Sequence, residues 1–138
     1  MLKINIAKYI GIPYKFKGTS FTEGMDCATI LSTYYKEIGF DFPVPEYSKK
    51  DINTMKLAKI YIRAVAELAE NNQIVNRVED LKINDLVCFT VSNGLVGLSG
   101  ICVDRFRILC LPHQEMSILL KLDTPVWKSK FKFGVRFK

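Results

Sequence analysis

An α+β domain, with helices packed on an antiparallel sheet of about five to six strands, is what the order of patterns along these 138 residues predicts. Apolar residues recur at spacings of three and four in the first half, the signature of helices with one buried face. Short apolar or alternating runs separated by turn residues fill the second half, as strands do. No repeat, low-complexity tract or flexible linker divides the two halves, so residues 1–138 read as a single domain.

The elements follow in order. Leu2, Ile6, Ala7, Tyr9 and Ile10 fit a short amphipathic helix over residues 2–10, stopped by Gly11 and Pro13. Residues 11–25 hold three glycines with Thr19, Ser20 and Thr22 and read as a structured loop. From there Cys27, Ile30, Leu31, Tyr34, Tyr35 and Ile38 line one face of a helix, with Asp26 as its N-cap and Gly39 at its end. Pro43 and Pro45 mark residues 40–50 as an extended connection. A second helix, capped by Asp51 or Asn53, runs to about Asn71 with Met55, Ala58, Ile62, Val65, Ala66 and Ala69 on one side.

Strands are expected at Leu86–Val91, Leu95–Val103, Phe106–Leu111 and Met116–Leu122. Pro125-Val126-Trp127-Lys128 suggests one helical turn. In the tail Phe131, Phe133, Val135 and Phe137 alternate with Lys130, Lys132, Arg136 and Lys138, which predicts a half-buried strand with a basic outer face. Trp127 and these phenylalanines are read as core.

Composition narrows the function classes. With 49% apolar and 25% charged residues the chain is an ordinary globular domain. No run approaches the roughly 18 apolar residues of a membrane span. The start, Met1-Leu2-Lys3-Ile4-Asn5-Ile6, lacks the apolar core and cleavage site of a signal peptide, so synthesis and folding in a cytoplasm are expected. The net charge of +6 is compatible with nucleic acid, anionic lipid or an anionic cell-wall polymer. The basic residues are scattered rather than clustered, which argues against a nucleic-acid partner.

The four cysteines, Cys27, Cys88, Cys102 and Cys110, show no framework spacing and are read as free thiols. Cys102, Cys110 and His113 could in principle build a zinc site, but no C-x-x-C pair accompanies them, so no metal or other cofactor is assigned. Cys27 has the strongest claim to chemistry. It opens a helix just after an acidic cap, where unpaired N–H groups favour a thiolate. A cysteine at this position is also what a small buried hydrophobe looks like, and spacing alone does not choose.

Tyr9-Ile10-Gly11-Ile12-Pro13-Tyr14, then Gly18-Thr19-Ser20, then Gly24-Met25-Asp26-Cys27, resembles the entry motif of the NlpC-type papain-like cysteine endopeptidases of cell walls. Leu81-Lys82-Ile83-Asn84-Asp85-Leu86-Val87-Cys88-Phe89 is similar to that family's x-x-G-D-L-V-x-F strand entry, with Asn84 at the usual glycine. Val96 to Cys110 can be laid without gaps over its next two strands. Thr124-Pro125-Val126-Trp127-Lys128-Ser129-Lys130-Phe131 is similar to its P-x-W-(basic) element, in the form found in phage tails and gene-transfer particles.

The resemblance implies a papain-like fold with Cys27 as nucleophile at the head of the central helix. It also implies a histidine base, and a second polar residue that orients it. Here those positions fall on Leu98, which has no lone pair to offer, and on Cys110, which has no base to orient. Tyr14 matches an aromatic whose hydroxyl can hold the reacting carbonyl. After the nucleophile the family has a small residue and glycine, where this chain has Ala28-Thr29.

The expectation is therefore a degenerate peptidase-like domain, a structural or binding part of a phage tail or similar particle. Its implied partners are other tail proteins and peptidoglycan. The competing expectation is an active peptidoglycan endopeptidase in which Cys27 uses an unconventional base such as His113, the only histidine.

Overall fold

The computed structural model describes residues 4–44, 46–48, 63–64, 66–68, 70–90, 96–112 and 115–137. His113, and the expected helix from Asp51 or Asn53 as far as residue 62, lie outside the described residues. Those described between 63 and 71 are helical.

The main helix, α1 (Cys27–Glu37), forms as its periodicity predicts, with Ile30, Leu31, Tyr34 and Tyr35 buried. Its start is fixed by a reciprocal cap. Asp26 accepts from the backbone N–H groups of Ala28 and Thr29, and Thr29 Oγ1 accepts from the Asp26 N–H. Thr29, a departure from the family pattern, thus closes the capping box. The end is set by Gly39, whose φ of +90° lets the chain turn away.

Before α1 lies a loop with a two-stranded ribbon, β1 (Thr19–Ser20) and β2 (Gly24–Met25). The expected first helix is only a 3-10 turn, Ile6–Tyr9, among the described residues. Its exit is tied across the molecule rather than along a helix. Ser117 donates to the Tyr9 carbonyl, and the N–H of Ile12 donates to Ser117 Oγ at 2.8 Å.

Six strands make the main sheet: β3 (Gln73–Val75), β4 (Leu86–Thr90), β5 (Val96–Asp104), β6 (Arg107–Cys110), β7 (Ile118–Lys121) and β8 (Phe131–Arg136). The order is β3-β8-β4-β5-β6-β7, every pair antiparallel. The helical turn Pro125–Lys130 leads into β8. The tail strand is therefore internal, between β3 and β4. Its basic outer face is only partly as expected, because Arg136 turns to the buried Asp85 with paired bonds of 3.0 and 2.8 Å.

Alternation along the strands gives the sheet two apolar layers. Leu86, Cys88, Ile101, Val103, Leu109, Leu111 and Val135 pack with α1. Val87, Phe89, Cys102, Ile108, Cys110, Leu120 and Leu122 form the other layer, with Trp127 and Phe131 against it.

Candidate functional site

The head of α1 gathers Cys27, Asp26, Tyr14 and Tyr47. The loop reaches it through Gly24, at φ +136°, where a Cβ would lie 2.7 Å from the Pro13 carbonyl oxygen. Met25 then forms a backbone bridge to Tyr14, which brings that residue to the segment leading into the cap.

Asp26 is 4% exposed, yet its carboxylate is fully engaged. One oxygen accepts from the N–H of Ala28 at 3.0 Å and of Thr29 at 2.9 Å. The other accepts from the N–H of Lys17 at 2.8 Å and from the Tyr47 hydroxyl at 2.5 Å. Lys17 adopts a φ of +54° to make its bond, a conformation that costs a non-glycine residue energy.

Cys27 is the first residue of α1 and half-buried. Burial first, and the charge of Asp26 second, push its thiol up to about 11, while the N–H groups of Cys27 and Ala28 act the other way. The helix end therefore works in the direction read from the sequence but is outweighed. At a pKa near 11, only about one thiol in ten thousand is ionised at neutral pH. Tyr14 also has its hydroxyl pKa raised, by burial and then by Asp26 and Cys27, so it remains a neutral donor beside the sulfur.

Leu98 and Cys110 do not join this group. Leu98 pairs across the ladder with Phe89 and packs in the layer away from α1. Cys110, 0% exposed, lies in that same layer opposite Gly100. On β5 the neighbour of Leu98 that turns to the α1 side is Ser99, paired with Cys88. Ser99 is 2% exposed, and its hydroxyl has no hydrogen-bond partner among the described residues. His113 lies outside the described residues.

Tyr47 is the member of the site that sequence reasoning missed. It sits in a proline-marked connection with no periodicity, so nothing local distinguished it. Its ring meets Phe16 edge-on at 5.5 Å, and Lys17 Nζ lies 4.9 Å from its centroid.

All four cysteines are free. Among the described residues no group of three or more His, Cys, Asp or Glu side chains is placed to hold a metal ion. Nor is any described helix long and apolar enough to cross a membrane.

This architecture is the papain-like NlpC/P60 fold. It is similar to a lipoprotein-like NLP/P60 family protein from Staphylococcus aureus, at 20% identity and a TM-score of 0.60, over 94% of this chain and 37% of that one. An NlpC/P60 family protein from Bacillus cereus matches at 21% identity and a TM-score of 0.64, over 94% and 36%. The NlpC/p60 domain of the peptidoglycan hydrolase SagA matches at 20% and 0.59, over 95% and 92%. The chain thus spans little more than a third of the first two proteins and nearly all of the third domain. No family model matches the sequence, and no curated protein does.

Proposed function

We propose that the chain is a degenerate NlpC-type domain that serves as a structural or binding component of a phage tail or similar particle and does not hydrolyse peptide bonds. The observation that carries this reading is the company at the head of α1: Tyr14, Tyr47 and an Asp26 carboxylate that already accepts four hydrogen bonds. Amide hydrolysis by cysteine needs a thiolate and a neighbouring base that takes its proton and returns it to the leaving amine. Cys27 is held as a neutral thiol, pushed up to about 11 by burial and by Asp26. The positions that the resemblance gives to the base and its orienter carry Leu98 and Cys110, packed on the other side of the sheet. The position next to Leu98 that does face α1 carries Ser99, whose hydroxyl is no base at neutral pH.

The particle setting is supported by the similarity of Thr124–Phe131 to the closing element of the tail-associated branch. On this reading the chain is made in the cytoplasm and then assembled. Its partners are neighbouring particle proteins, and peptidoglycan, the polymer named for SagA, is held rather than cut.

A digestion assay on purified peptidoglycan tests the hydrolytic half. The protein and its Cys27→Ala variant should both leave turbidity and soluble products at the level of buffer alone. Digestion by the unmutated protein that vanishes in Cys27→Ala would instead establish an active endopeptidase with an unconventional base such as His113. The particle half is read from sedimentation: the chain should travel with assembled tails, and its recovery wholly in the free fraction would refute that role.

A further inference from the structure

The Asp26 carboxylate accepts four hydrogen bonds, and they differ in reach. Those from Lys17, Ala28 and Thr29 come from within nine residues and shape the loop and the cap. The bond from Tyr47 crosses 21 residues and joins a separate segment to the head of α1. In that segment Glu46 and Ser48 are exposed, whereas the Tyr47 ring is turned inward onto Phe16. Its hydroxyl bonds to the carboxylate of the residue directly before Cys27, at the head of the helix that the thiol opens.

We infer that Tyr47 is a latch on the thiol: its hydroxyl on Asp26 and its ring on Phe16 hold residues 46–48 against the head of α1 and limit access to Cys27. The local bonds to Asp26 fix the helix start whether or not Tyr47 is engaged. Release of the latch therefore uncovers the sulfur without dismantling α1, a local opening rather than unfolding. The inference is independent of hydrolysis, since it concerns access to the thiol rather than any base.

The probe is iodoacetamide. The Cys27 sulfur, once ionised, displaces iodide from the reagent's methylene carbon; a C–S bond forms, the C–I bond breaks, and the thiol proton passes to water. Cys88, Cys102 and Cys110 are 0–2% exposed and serve as internal reporters of folding. Tyr47→Phe keeps the ring and removes the hydroxyl. Peptide mass analysis should show Cys27 alkylated about tenfold faster in this variant than in the unmutated protein, with the other three cysteines still protected. An unchanged Cys27 rate with the other three protected would overturn the latch. If Tyr47→Phe labels all four together, Phe16→Leu decides, because it leaves the Tyr47 hydroxyl in place and removes the ring's edge contact. Faster labelling of Cys27 alone in Phe16→Leu supports the latch, and any other result there overturns it.

Discussion

The two ends of α1 meet the same force with opposite consequences. At the C-terminal end Tyr34 and Tyr35 are almost fully buried, and both hydroxyls donate to Asn84, to its side-chain oxygen at 2.7 Å and its carbonyl at 2.9 Å. Burial is the largest cause raising both phenols, to about 12 for Tyr34 and well above the ordinary value for Tyr35. This costs the fold nothing, because a neutral phenol with its proton shared is what the site needs. At the N-terminal end burial raises the Cys27 thiol in the same way, and there it removes the ionised form that chemistry would require. Desolvation thus helps to hold one end of the helix and raises the thiol at the other.

The largest way to break this comparison is Tyr35→Ala. The Tyr35 ring is stacked on Phe42 at 5.4 Å and meets Tyr34, Phe40 and Phe137 edge-on. Its loss should cost about 3–5 kcal/mol, from lost burial and the void left behind. Urea unfolding reads the effect. A cost below about 1 kcal/mol would mean that the aromatic cluster does not hold this end of α1.

A smaller effect separates backbone from side chain at Asn84. Its φ of +76° explains why glycine is the family habit, and its side chain accepts from Tyr34. Asn84→Gly keeps the conformation and loses only the acceptor, for about 0.5–1.5 kcal/mol. Asn84→Ala adds roughly 1–2 kcal/mol for the left-handed backbone. Equal costs in the two variants would show that conformation is not what Asn84 supplies.

The C-terminal end of α1 was legible in the sequence, and the chemical end was legible only in part. Apolar spacing from Ile30 to Ile38 and the cap at Asp26 are local patterns, so they translate directly into a helix with a known face. The strands from Leu86 onward were readable for the same reason. Gln73–Val75 was not, since three residues are too few to show a period of two, and its pairing with β8 is a long-range event. Leu98 falls on the far side by plain alternation from Ile101 through Ser99, in the regular part of the β4–β5 ladder, and motif matching by order and spacing carries no information on which face a matched position takes. Arg136 was read as outward by alternation; its partner Asp85 lies 51 residues away. Tyr47 joins the site by a contact across 21 residues from a segment without periodicity.

The finest test lies at the chemical end. Asp26→Asn keeps an oxygen to accept from Ala28 and Thr29 but removes the negative charge beside the sulfur. The other position becomes an amide NH2, which cannot accept from the Lys17 N–H and the Tyr47 hydroxyl, so stability near neutral pH should fall by about 1–3 kcal/mol although the cap itself is kept. The thiol midpoint, followed by ultraviolet absorbance of the thiolate, should fall below the value of about 11. The sign for stability follows from the same shift. The folded pKa lies above the 9.0 of an unperturbed thiol, so the unfolded chain releases its proton first. The contribution of Cys27 is therefore complete below about pH 9 and is lost as pH rises through that value towards 11, and the variant should lose less across this window. If the midpoint of Asp26→Asn stays where it was, burial alone raises the Cys27 thiol and the neighbouring charge has no part in it.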